Sequence, residues 1–152
     1  MKSKLHAIVG TLALACIGTF WMSTLVSELF LSEASVQAVK NGVLAAMWLL
    51  IPAMAATGAS GFALSRGRSG RLVAVKKRRM KVIAANGILV LVPSAFSLAS
   101  MANAGRFDMV FYAVQGLELV AGAVNFVLLA LNMRDGLRLT GRSSTYAPLR
   151  SQ

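Results

Sequence analysis

Four stretches of this chain each run for about 20 residues or more with almost no charge, and a chain with that pattern has few folds open to it. Crossing the hydrocarbon core of a bilayer takes ~20 apolar residues at ~1.5 Å rise each. The first stretch, 5–31, meets no charge before Glu28; the second, about 42–65, and the third, 82–102, are uncharged. The fourth, about 107–133, carries Asp108 at its mouth and a single interior charge, Glu118. Each is longer than an ordinary soluble core helix and apolar all round, so the pattern predicts an all-α polytopic membrane protein, a four-transmembrane-helix up-down bundle. The first stretch has a basic start and a signal-peptidase-like Val36-Gln37-Ala38 beyond it, and Ala13-Leu14-Ala15-Cys16 resembles a lipoprotein site. Its apolar run exceeds the ~7–15 residues of a signal core, so it is expected to be retained as a helix.

The composition agrees. The chain is 152 residues, 57% hydrophobic and 14% charged, where a soluble domain is ~25% charged. Five acidic residues cannot solvate a globular surface, and a net charge of +11 points to membrane topology rather than nucleic acid, because the basic residues fall between the apolar runs. One cysteine excludes an internal disulfide, one histidine argues against a His-rich metal site, and no catalytic or phosphate-binding motif occurs, so neither an enzyme nor a metal protein is expected.

Basic residues in short loops set orientation. The segment 66–81 holds eight, including Lys76, Lys77, Arg78 and Arg79; the N-terminus adds Lys2 and Lys4, and the C-terminus adds Arg134, Arg138, Arg142 and Arg150. The opposite side is assigned only Lys40 and Arg106, with Glu28, Glu33 and Asp108. This bias predicts both termini and the basic central loop in the cytoplasm of a bacterial inner membrane. Lys76 to Arg79 are read as contacts for anionic lipid headgroups, the alternative being a docking site for an acidic partner. Residues 103–106 are expected to form a tight hairpin with turn chemistry from Asn103 and Gly105. An Asp135–Arg138 pair is expected to extend the fourth helix, and 143–152 to be a disordered tail.

Lipid tails are as apolar as leucine, so membrane helices associate through small residues and polar contacts. Thr11, Ala15, Thr19, Ser23 and Ser27 mark one face of the first helix; Ala53, Thr57 and Gly61 mark the second; Ala95 and Ala99, with Ser94, Ser97 and Ser100, mark the third. They read as packing seams within the bundle, with a dimer seam as the alternative. Pro52 and Pro93 fall near mid-span and free the carbonyls of Trp48 and Leu89, which either line a site or are satisfied locally as simple kinks.

Glu118 invites chemistry most directly. A carboxylate inside the span costs at least ~2.5–3.5 kcal/mol, so it faces the bundle or a partner. Gln115, Glu118, Gly122, Asn125 and Asn132 share an arc of one helix face, and Gln115, Glu118 and Asn125 form the candidate intramembrane polar site. Either Glu118 is a neutral acid that bonds Thr19, Ser94 or Ser97, or it carries a proton or a cation. No second charge is expected at its depth. His6, at the mouth of the first helix, is a candidate haem b ligand, with Met80 near the same face or a second His6 in a homodimer as the other axial ligand; the alternative is an interfacial polar residue. Cys16 reads as a small apolar packer.

The strings Lys77-Arg78-Arg79-Met80 with Asn86-Gly87, Phe111-Tyr112-Ala113-Val114-Gln115-Gly116-Leu117-Glu118, and Leu131-Asn132-Met133-Arg134-Asp135-Gly136-Leu137 resemble uncharacterised four-helix inner-membrane proteins of Gram-negative bacteria. That resemblance implies fold and location and no activity. In size and helix count the chain is also similar to small multidrug transporters, whose essential glutamate lies in the first helix and not the fourth, so the likeness stops at the fold. Three functions are expected in order: a small membrane subunit or accessory protein acting through helix contacts, as a homo-oligomer or in a larger complex; a proton-coupled transporter or channel component centred on Glu118; and a haem- or quinone-binding electron-transfer subunit using His6.

Overall fold

A computed structural model describes residues 2–64 and 70–145, with side chains over 6–63 and 70–137. Its elements are α1 (Lys2–Phe30), α2 (Glu33–Leu64), α3 (Arg71–Asn86), a π-helical turn (Gly87–Leu91), α4 (Val92–Asn103) and α5 (Met109–Thr145). The described residues contain no strand. Four helices are long and apolar enough to cross a membrane: His6–Phe30, Glu33–Ala63, Arg71–Asn103, which joins α3, the π turn and α4, and Met109–Leu137. The protein is a multi-pass membrane protein, and its surface shows it. Large apolar side chains such as Ile8, Leu29, Trp48, Ile88, Phe96, Leu117 and Val120 face outward, while Lys40, Gln115, Asn125, Asn132 and Asp135 are buried, the reverse of a soluble protein.

The helices extend beyond the expected spans. Ser32 precedes α2 and Glu33 stands in its first turn, where a carboxylate complements the helix dipole. The helix therefore starts nine residues before Gly42, and Lys40 lies inside it rather than in an outer loop. Likewise, Lys76, Lys77, Arg78 and Arg79 are helical residues of α3, not loop residues. Of the expected disordered tail, 143–145 continue α5, and 146–152 lie outside the described residues.

The chain packs as a ring. Helix α1 lies between α2 and α5, and the composite third span touches α2 through α4 and α5 along its length. In contrast, α2 and α3 make no comparable contact among the described residues. The ring is closed at the end holding the 31–32 and 104–108 connections; between α2 and α3 it is bridged near the end holding the termini only by side chains, Met80 over Gly61 and Lys77 over the Phe62 ring. At the closed end Asn103 Oδ1 accepts from Gln37 Nε2 at 3.0 Å and Asn41 Nδ2 at 2.8 Å, clasping α2 to α4. Gly105 takes φ +65, a left-handed turn that favours glycine. Asp108 caps α5 by accepting from the Phe111 N–H at 3.0 Å.

The small-residue faces divide. Ala53, Thr57, Ala95 and Ala99 are buried as expected, and a Cβ on Gly10 would touch Thr57. On α1 Ser27 of the expected face is buried, but the inward face is otherwise Ala13, Ile17 and Thr24, while Thr11, Ala15 and Thr19 are exposed. The helix is turned by its large residues: Trp21 reaches α5, where its Nε1 donates to the Leu119 carbonyl at 2.9 Å and its ring lies over Gly122. Pro52 and Pro93 sit on outer faces, as do Trp48 and Leu89, so the carbonyls they free do not line the interior. The chain accommodates Pro93 through the π turn just before it.

Candidate functional site

Lys40 is the interior charge that the count of basic residues placed outside. Val36, Gln37, Lys40 and Asn41 fall on one side of α2; Lys40 is 2% exposed. Its Nζ donates to Glu118 Oε2 at 2.9 Å. The pair joins α2 to α5, diagonal helices of the ring, so it crosses the bundle axis. Lys40 is seven residues inside α2 and Glu118 nine inside α5, ~10–14 Å from their starts. Thr19, Ser94 and Ser97 are not its partners: Thr19 and Ser97 face outward, and the acid finds an ammonium instead.

Glu28, near the end of α1, lies within electrostatic reach of both Lys40 and Glu118. Its Oε1 is buried with no hydrogen-bond partner, as is Gln115 Oε1. Gln115 Nε2 stands 3.5 Å from Glu118 Oε2, at the outer limit of a hydrogen bond. The site thus gathers two carboxylates, one ammonium and one amide from three helices. With both acids ionised the site carries one negative charge more than the single lysine balances. No group of three or more His, Cys, Asp or Glu placed to hold a metal occurs among the described residues.

Asn125 belongs to a different network. Asn86 Nδ2 donates to Asn125 Oδ1 and to the Ala121 carbonyl, both at 2.9 Å, and Asn125 Nδ2 donates to the Ile83 carbonyl at 3.3 Å. Gly87 N–H is shared there between the Ala84 and Ile83 carbonyls as the helix widens into the π turn, so Asn125 supplements a weakly bonded carbonyl. Of the expected polar site, Glu118 and Gln115 come together, and Asn125 pins α5 to α3 two turns away.

A cavity of about 550 Å³ lies inside the bundle, walled mostly by apolar side chains. It runs from Glu118 and Trp21 past Asn125 and Asn132 to His6 and Lys76 at the end holding the termini. His6 Nδ1 is 2.8 Å from Ser60 Oγ, and its Cε1 shares the space over Gly61 with the Met80 methyl. His6 and Met80 are thus neighbours, as the haem expectation required, but the imidazole is already engaged by α2. Asp135 accepts from Arg79 Nη1 at 2.7 Å and lies 3.6 Å from Arg134 Nε. It therefore ties α5 to α3; the side chain of Arg138, its expected partner, lies outside the described residues.

Sequence reasoning missed Lys40, Glu28 and Asn86. A signal for Lys40 was present, since Gln37, Lys40 and Asn41 have i, i+3, i+4 spacing. Against known proteins, no family model, curated protein or solved structure matches the chain.

Proposed function

We propose that this protein is a small proton-coupled membrane transporter in which Glu28, Lys40 and Glu118 bind and release the coupling proton and the cavity carries the solute. One observation carries the reading: an ion pair with an excess carboxylate, buried on the bundle axis, opens through Glu118 onto an internal cavity. With Glu28 in electrostatic reach of Lys40, a proton on Glu118 would turn the ammonium toward Glu28, a two-state element that a solute in the cavity can bias. Both termini are assigned to the cytoplasm of a bacterial inner membrane by the basic bias, and Lys77 and Arg78 on α3 are read as facing anionic headgroups there.

The test is solute-dependent proton movement in proteoliposomes loaded with a pH-sensitive dye, scored against protein-free vesicles for lipophilic anions, cations and neutral solutes. Wild type is expected to move protons with one charge class, and Lys40→Met/Glu118→Gln is expected not to. Equal movement in the double variant, or none with any class, sinks the reading.

A second reading, a homo-oligomeric or accessory subunit, is favoured by the outward Thr11, Ala15 and Thr19 on α1, which would let another helix approach closely. Mass determination of the detergent-solubilised protein separates them: a stable partner or dimer lost in Ala15→Leu supports assembly through that face, and an unchanged monomer removes it.

A further inference from the structure

The cavity has a side door and a charged threshold, and together they select a ligand. Ala55 and Ile51 on α2, and Ala84 and Ile88 across from them, line the cavity and also face outward, Ile88 being 68% exposed. They are the two lips of a mid-span gap between α2 and the segment formed by α3 and the π turn, bounded toward the termini by Met80 over Gly61 and Lys77 over Phe62, so the cavity opens sideways at the depth of lipid tails. From Glu118 to Gly136 it follows eighteen residues of α5, ~27 Å, longer than the ~15 Å hydrocarbon half of one leaflet.

At the far end Lys76 Nζ would lie 3.2 Å from a Cβ on Gly136, over α5 and beside His6. Arg79 and Arg134 are close by, and the one carboxylate among them, Asp135, is bonded to Arg79. Three basic side chains against one acid leave positive charge at the threshold. One turn deeper, Asn132 lines the same cavity, 9% exposed, and its Oδ1 is buried with no partner.

We propose that the cavity binds a single-chain anionic amphiphile: the acidic head sits between Lys76 and Asn132, and the apolar tail lies along the cavity toward Trp21, having entered between α2 and α3. The head accepts from the Lys76 ammonium and from the amide N–H of Asn132, which lines the cavity beside it. A cationic head meets Lys76 unfavourably, and Glu118 at the other end is already taken by Lys40. This names the solute class of the transporter proposed above and rests on that reading only for transport; binding stands by itself.

Trp21 lines the cavity, and the only other tryptophan, Trp48, is on the outer surface. In a Trp48→Phe background, a fatty acid brominated at mid-chain therefore reports occupancy by quenching Trp21. The same tail on a quaternary ammonium head is the comparison. Saturable quenching by the acid, at least tenfold tighter than by the cation, is expected. Lys76→Gln is expected to weaken it about tenfold. Gly58→Phe is expected to abolish it by filling the cavity beside the door, where a Cβ meets nothing within 4 Å, with the far-ultraviolet circular dichroism of wild type. Equal quenching by both heads, or unchanged affinity in both variants, overturns the proposal. Acid binding without coupled proton movement would leave the site standing and sink the transporter; coupled movement of another class without acid binding would do the reverse.

Discussion

A lysine and a glutamate 2.9 Å apart inside a helix bundle do different things together and alone. Breaking a buried pair leaves one charge stranded, at about 3–5 kcal/mol, whereas replacing both partners with neutral residues of similar volume is near neutral or stabilising. Lys40→Met, which leaves two acids unbalanced, should lower the thermal midpoint in detergent more than Glu118→Gln, which leaves Glu28 for Lys40, and the double variant should recover most of the loss. A double-mutant cycle reads this directly, and independent, additive losses would mean that the two side chains do not meet. The same scale governs the 104–108 turn. The Arg106 hydrogen bond, and then the Phe111 N–H, hold the exposed Asp108 carboxyl below the usual carboxylate range. A depressed folded-state pKa gives stability that is present above the unfolded value and lost as pH falls through the folded one. Midpoints measured across acid pH should therefore drop more for wild type than for Asp108→Asn, which has no proton to gain.

Helices are where the sequence was most legible and also where it misled. The apolar runs mark all four spans because length and lack of charge are one-dimensional properties. Helix ends are not: Ser32 to Asn41 is polar enough to read as loop, yet its polar side chains are clasps and a buried charge on one helix face. Rotation of a helix is equally hidden. Small residues mark two faces of α1, and Trp21 against Gly122 decides which turns inward. The π turn was not legible, because it is held by Asn125 from another helix. Asn125→Leu should cost about 1–3 kcal/mol by stranding Asn86 and the Ile83 carbonyl. Hydrogen exchange should then quicken over 83–91 first; uniform quickening along α3 and α4 would deny Asn125 that local role.

As a whole the molecule is a ring of four helices, closed by polar clasps at one end and open between α2 and the third span at mid-depth, with the Lys40–Glu118 pair across it and Glu28 within electrostatic reach. The order of helices follows from short connections, but the hollow does not follow from any stretch of sequence. It depends on α2 leaning on α4 and away from α3. The assigned orientation puts the 104–106 turn outside. A Cys16→Ser/Ala104→Cys protein should react with an impermeant maleimide added to intact cells, and protection until lysis would invert the topology. The central claim is that two acids and one lysine hold a proton inside the bundle. Infrared spectroscopy of the purified protein near neutral pH tests it most directly, through the carbonyl stretch of a protonated carboxyl group. The account predicts such a band in wild type and its loss in Glu28→Gln/Glu118→Gln. A wild-type spectrum with only ionised carboxylates would contradict it.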